Sequence, residues 1–488
     1  MKKLIATSGF TLLLLSGCKT IGEPSAAPKI DLPEQFINRE SISESDRYDL
    51  VEWWTLLQDD QLSRLVDRAA KNNRDLQAAA ARVEQAKAAR KAAAGNRLPS
   101  LGIGLAYTDQ EGSLNGPGAA PPLAAAGLTS LRQSDYEVGS DLEWEIDLFG
   151  SVRAAVRRAQ EDQAFAEEAK RLATLQIVSG VAQGYLTIRG LQERLQVAED
   201  NARTQEQTLQ FVQDRKASGF ASRLEEAQAL SQWQATRSAI PVIQAQIEQR
   251  IYQLATLVGE RPDQLAVELS ATRPLPGFSF SGISAVPTEV IRRRPDFRMA
   301  ERQLARASAD IAAAVAERYP KLILFGGIAQ QSLELDSLFD SSSQAWSFRP
   351  SLSLPLFTGG KIQAGIDAAQ ARNAEAVALF ENTVLSILSQ IESSIVAYQQ
   401  GQEEIDHLRD SVEAAREAVS LAESLYQEGL VDFLNVLESE SRVLDLEDRL
   451  VASRINLALN GARLFEALGG GWEKYEQNGE NSVISSNS

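Results

Sequence analysis

The sequence predicts a mixed α and β membrane fold, built by internal duplication from very long helices and bilayer-length strands. Three observations predict it. Asp135 to Leu148, DYEVGSDLEWEIDL, alternates, with Tyr136, Val138, Leu142, Trp144 and Ile146 on one face and Asp135, Glu137, Asp141, Glu143, Glu145 and Asp147 on the other. Such alternation makes a strand with one apolar and one wet face, long enough to cross a bilayer when tilted. A helical pattern without proline then runs from Ser151 to Ser218, 68 residues, or roughly 100 Å at 1.5 Å per residue. Globular helices are rarely that long, whereas coiled coils are. Finally, the plan recurs: Trp346 to Leu356 alternates and passes through Phe357-Thr358-Gly359-Gly360 into a second such pattern, Lys361 to Glu428.

Composition narrows the function classes. The net charge of −17 over 488 residues argues against nucleic acid, because phosphate binding needs a basic surface. With one Cys, one His (His407) and two Met, there is no intramolecular disulfide and almost no material for a histidine metal site or triad. No catalytic cluster, phosphate loop or cofactor motif is visible. The longest apolar run, Leu4 to Leu15, is too short for a spanning helix. If the chain crosses a membrane, it does so with strands.

In chain order, residues 1–17 read as a signal segment, excluded from fold reasoning. Residues 18–58, with Pro24, Pro28 and Pro33, read as a tether. The first repeat spans 59–262: a helix from about Gln61 to Arg97, a hairpin over 99–148, the long helix 151–218 and a returning helix 222–259 that Pro241 is expected to kink. The hairpin's first strand alternates Leu101, Ile103, Leu105 and Tyr107 with small residues, and GPGAAPPLAAAG forms its loop. Residues 263–285 read as a linker. The second repeat, 286–472, carries a helix over Pro287 to Arg318, a hairpin over 321–357, the long helix 361–428 and a returning helix 432–468. Arg292-Arg293-Arg294 fits a helix-start or turn feature better than an anion site. Residues 473–488 read as a disordered tail.

The duplication is arithmetic as well as visual. An offset of 210 aligns Gly219 with Gly429, Leu224 with Leu434 and Gly259 with Gly469. Val436, Val443, Leu450, Leu457 and Leu464 step by seven, as do Trp233, Ile240, Ile247 and Leu254, a coiled-coil seam. Four strands per chain cannot close a barrel, and an open edge in lipid leaves backbone groups unsatisfied. A homotrimer closes a barrel of about twelve strands. Its apolar faces meet lipid, and Asp141, Glu143, Glu145 and Asp147 line water.

Several motifs together resemble one family. Leu15-Ser16-Gly17-Cys18 is similar to a bacterial lipobox. Asp147-Leu148-Phe149-Gly150, Arg294-Pro295-Asp296, Leu354-Pro355-Leu356-Phe357-Thr358-Gly359-Gly360 and Ala467-Leu468-Gly469-Gly470-Gly471-Trp472 complete the set. With the duplicated plan, the chain resembles TolC-like outer-membrane efflux channels of the lipoprotein branch. The resemblance implies lipidation at Cys18 and a trimeric tube with an outer-membrane β-barrel and a periplasmic α-barrel. It implies docking onto a periplasmic adaptor joined to an inner-membrane pump, of the proton-driven RND type, for export of drugs, toxic compounds or metals. It places the adaptor-contacting tips at Gly219 and Gly429 and the periplasmic gate at Leu434, Asn435 and Glu438. Channels of the family carry acids where Asn435 and Glu438 stand, so one acid is missing. Arg442 is offset by one from the family's position, and i,i+4 spacing permits it to pair with Glu438. Two other readings stay open: the same fold serving type I protein secretion, and a lipid-anchored periplasmic coiled coil without a pore.

Overall fold

A computed structural model describes residues 33, 36–37, 50–112, 131–278 and 287–476. Cys18, the signal segment, most of the tether, the linker's residues 279–285, the first hairpin's loop and the tail from 477 lie outside them. The described helices are α1 (Asp60–Asn72), α2 (Arg74–Gly95), α3 (Ser151–Ala217), α4 (Arg223–Val258), α5 (Pro262–Leu269), α6 (Pro287–Arg293), α7 (Pro295–Ala316), α8 (Lys361–Gln427) and α9 (Phe433–Ala467). The strands are β1 (Ser100–Gly112), β2 (Leu131–Ile146), β3 (Lys321–Ser332) and β4 (Gln344–Ser353). Two compact units share the chain, and α2, α3, α7 and α8 contribute residues to both.

The first unit, described within Glu84–Phe165 and Glu301–Leu379, holds the sheet. Its order is β1-β2-β3-β4, with every neighbouring pair antiparallel. The meander leaves β1 and β4 as open edges. Below the strands, α3 and α7 are stitched by ion pairs, Arg158–Asp310 at 3.4 Å and Arg306–Asp162 at 3.1 Å. Phe149 stacks on Tyr319, ring centroids 4.9 Å apart, at the turn where β2 hands over to α3.

The second unit comprises Lys29–Val83, Ala166–Ala300 and Phe380–Ser488. Its main core gathers Trp53, Trp54, Leu62, Leu65, Tyr185, Leu186, Leu254, Leu269, Ile291 and Phe465, all nearly inaccessible to solvent. Arg189 is fully buried here, stacked over Tyr185 at 4.9 Å. It donates to Gln61 and Gln192 at 2.6 Å each and to the Ala271 carbonyl at 2.8 Å. These acceptors lower the burial cost of its charge. Tyr185 donates to Asp59 at 2.6 Å. Burial, reinforced by that carboxylate, pushes the phenol up to about 12.

Several sequence boundaries move. The helix read from Gln61 to Arg97 breaks at Asn73, whose ψ of 131° is extended. The Asn73 amide donates to the Leu257 carbonyl at 2.8 Å and its oxygen accepts from Leu76 N at 3.0 Å. The helix read over Pro287 to Arg318 breaks at Arg294. That guanidinium, buried, grips Asp296 at 3.0 and 2.7 Å, the Ala467 carbonyl at 2.6 Å and Gln390 at 3.0 Å. The linker contains α5, which has Pro262 at its start and buries Leu265 and Leu269. Trp53-Trp54, inside the span assigned to the tether, open a short 3-10 helix within the core, where Trp53 lies 5.4 Å from Phe465, stacked. The tail is ordered through Glu476: Tyr475 donates to Asp67 at 2.7 Å and Lys474 pairs with Asp67 and Glu52. Helix α4 runs on through Pro241. Strand β4, an edge strand that accommodates Pro350, stops at Ser353.

Candidate functional site: a two-faced sheet and paired helix tips

The register sorts the sheet into two faces, because directly paired residues point the same way. One face reads Leu101, Leu142, Gly326, Phe348 across one row and Ile103, Ser140, Ile328, Trp346 across the next. It is wide open in the single chain: Leu101, Ile103, Trp346 and Phe348 are 72, 85, 78 and 64% exposed. The other face reads Gly102, Asp141, Gly327, Ser347 and then Ser100, Glu143, Phe325, Arg349. An apolar patch of this size on a soluble monomer would aggregate; against lipid chains it is at home. Among the described residues, no helix is long and apolar enough to cross a membrane.

The four acids predicted to line water have different surroundings. Asp141 and Glu143 sit on the polar face, Asp141 reaching so closely over Gly102 that a Cβ there would lie 2.8 Å from its Oδ1. Glu145 is on the same face but accepts from the Ser151 hydroxyl at 2.8 Å. Asp147 lies beyond the strand end and accepts from the Arg153 amide at 2.9 Å and its Nε at 3.1 Å. Its assignment to the wall is therefore corrected. A carboxylate at a helix start gains from the unpaired N–H groups there, so Asp147 holds the strand-to-helix turn.

The two tips share one backbone solution. Gly219 and Gly429 have φ of +83° and +76°, a left-handed conformation that favours glycine. Phe220 N donates to the Arg215 carbonyl at 2.8 Å and Leu430 N to the Leu425 carbonyl at 2.9 Å, each closing a Schellman stop. Ser222 then starts α4 with a capping box, its hydroxyl accepting from Glu225 N at 3.2 Å. Asp432 makes no side-chain cap; the Asn435 side chain instead turns back to the Asp432 carbonyl at 3.2 Å.

Between the hairpins, Leu209, Val212, Ala229, Tyr426, Phe433 and Val436 form a small core. Tyr426 donates to Glu225 at 3.0 Å, tying the second hairpin to the first. Arg215 lies over Tyr426 at 4.8 Å. Burial, with Glu225 adding to it, pushes the Tyr426 phenol up to about 12. Deeper in, buried Glu440 accepts from the Thr208 hydroxyl at 2.7 Å. Burial raises its carboxyl, and the like charge of Glu423 adds to the effect.

Leu434, Asn435, Glu438 and Arg442 share the opposite, exposed side of α9. Leu434 is 51% exposed. Arg442 turns to Asp445 at 3.9 Å rather than to Glu438; both i,i+3 and i,i+4 partners lie within its reach. Tyr426, Glu225, Arg215, Thr208 and Glu440 are missed by sequence reasoning. One signal was available, since the offset of 210 puts Glu225 opposite Asn435. Among the described residues, no group of three His, Cys, Asp or Glu could hold a metal ion.

Comparison with known proteins agrees with this architecture. The family model described as outer membrane efflux protein matches residues 65–260 and 286–470. The outer membrane protein OprJ of Pseudomonas aeruginosa is 30% identical over 96% of each chain. The probable outer membrane lipoprotein SilC of Salmonella typhimurium is 27% identical over 97% of this chain and 100% of its own. Among solved structures, the outer-membrane channel OprN superposes with a TM-score of 0.83 at 29% identity, covering 92% of this chain and 99% of its own. The fold is that of trimeric TolC-like channels, four strands from each chain entering one barrel. The chain belongs to the outer membrane efflux protein family and is an outer-membrane channel of an efflux system.

Proposed function

We propose that this chain, as a homotrimer, forms the exit duct of a tripartite pump that exports small molecules. In this reading a periplasmic adaptor joins it to a proton-driven inner-membrane pump of the RND type. The carrying observation is the two-faced sheet with edges at β1 and β4. Unpaired edges in lipid are costly, and pairing β4 of one copy with β1 of the next removes them. The tips support docking of a protein partner. Around Gly219 and Gly429, Phe220, Leu224 and Leu430 are 74, 67 and 66% exposed, an apolar character that suits a packed interface. Leu434, Asn435 and Glu438 form the periplasmic gate in this reading. Cys18, after its lipobox, carries acyl chains that hold the mature N-terminus in the outer membrane. The test is purification from outer membranes, native mass and planar-bilayer recording. Three chains per particle and discrete conductance steps are expected; a monomer that conducts, or a trimer that does not, overturns the reading.

A further inference from the structure

The wet face of the sheet is uneven, and the unevenness is patterned. Rows Gly102, Asp141, Gly327, Ser347 and Gly104, Gly139, Ala329, Ala345 carry small side chains apart from the aspartate. A concavity of about 420 Å³ opens over them. The adjoining row is Ser100, Glu143, Phe325, Arg349, where the wall thickens abruptly. Phe325 and Arg349 are direct cross-strand partners, and the guanidinium carbon stands 4.9 Å from the centre of the Phe325 ring. A cation over an aromatic face is attracted by the ring's quadrupole, which fixes the long side chain in place.

The charge there is as distinctive as the bulk. On this face of the described strands, Asp135, Glu137, Asp141, Glu143 and Glu145 are acids. Lys321, at the first residue of β3, is paired with Glu317 at 2.7 Å. That leaves Arg349 as the guanidinium on the face. Glu143 sits two strands away in the same row, about 10 Å at ~4.8 Å per strand. That backbone separation is roughly one screening length at physiological salt.

We infer that the Phe325–Arg349 pair is a selectivity-determining ledge, three copies of which let anionic small molecules pass an otherwise acidic barrel wall. The inference rests on the trimeric pore reading. A ring of fixed positive charge in a narrow water-filled path lowers the barrier to anions and raises it to cations. The aromatic partner holds the guanidinium over the Phe325 ring.

The experiment is a reversal-potential measurement across a potassium chloride gradient, with Glu438→Gln as a common background so that the helix-tip carboxylates do not dominate. Arg349→Gln should raise the ratio of potassium to chloride permeability roughly two- to fivefold, while Arg349→Lys changes it little. Arg349→Cys introduces a thiol on the ledge, with the Arg349-containing background channel treated in parallel as the control. Attaching a trimethylammonium-ethyl thiosulfonate reagent should restore the original ratio, and a sulfonatoethyl reagent should push it further toward cations. If Arg349→Gln channels conduct with an unchanged ratio, or if both reagents react by mass without moving the potential, the ledge does not set selectivity. Absence of any conductance in the unmodified protein overturns the pore reading instead.

Discussion

At the scale of single residues, Tyr426 links the two hairpins of the tip. Its hydroxyl donates to a Glu225 oxygen that also accepts from Ser222 N at 3.2 Å. Phenylalanine keeps the ring in the Leu209–Val436 core and loses only the bond, about 1 kcal/mol net. Tyr426→Phe should therefore shift the tip toward its open form about fivefold, read as larger single-channel conductance at equal expression. The phenol is pushed up to about 12, so its neutral form is favoured when packed. This contribution is complete below the ordinary tyrosine range near 10 and is lost as pH rises through about 12. Glu440 has the same sign in a lower pH window. Its carboxyl is raised by burial and by Glu423, so the packed state disfavours ionisation, and the penalty grows as pH rises through and above the ordinary carboxylate range. Glu440→Gln retains an acceptor for Thr208 and removes the charge. Its melting temperature at neutral pH should equal or exceed the parent's, with a flatter dependence on pH between 5 and 8; a steeper dependence would contradict this account.

At the scale of elements, the strands and long helices were legible because each repeats one period over many residues. DYEVGSDLEWEIDL alternates without a break, and β2 occupies Leu131–Ile146. The breaks were legible only in part. Pro295 disfavours helical backbone at Arg294, and Asn73 caps the Leu76 amide at 3.0 Å; what sequence could not foresee is the distant carbonyl each side chain also reaches, Leu257 or Ala467. Likewise Asp147 belongs to the turn, not the wall, because Arg153 arrives from the next helix, and alternation alone cannot foresee that. The glycines that close helices also separate into kinds. At Gly429 a Cβ meets nothing within 4 Å, whereas at Gly259 it would lie 2.4 Å from the Asn72 carbonyl oxygen. Gly429→Ala should cost about 1 kcal/mol, the left-handed strain alone. Gly259→Ala should cost several times more, since backbone must move. Equal losses in denaturant midpoint for the two variants would show that local strain, not packing, governs both.

At the scale of the whole molecule, the proposed trimer would bring three copies of the exposed stripe on α9 to one axis. In the proposed trimer, Leu434 and Glu438, four residues apart, share a helix face and form successive rings. An apolar ring resists wetting, and a carboxylate ring above it repels itself unless a cation or protons intervene. Within its own chain Arg442 lies 3.9 Å from Asp445, so that acid competes with Glu438 for it. The first repeat offers no second ring, since the offset of 210 puts Gln228 opposite Glu438. Leu434→Ala and Glu438→Ala should therefore each loosen the resting state. Conductance should rise, and cells expressing the double variant should admit large antibiotics such as vancomycin. Tyr426→Phe acts on the buried side of the same tip, so combining it with Glu438→Ala should give less than the sum of the two effects if both report one closed state. Strict additivity would separate the latch from the rings. Unchanged conductance and vancomycin sensitivity in the Leu434/Glu438 double variant, at equal expression, would move the constriction away from the helix tips.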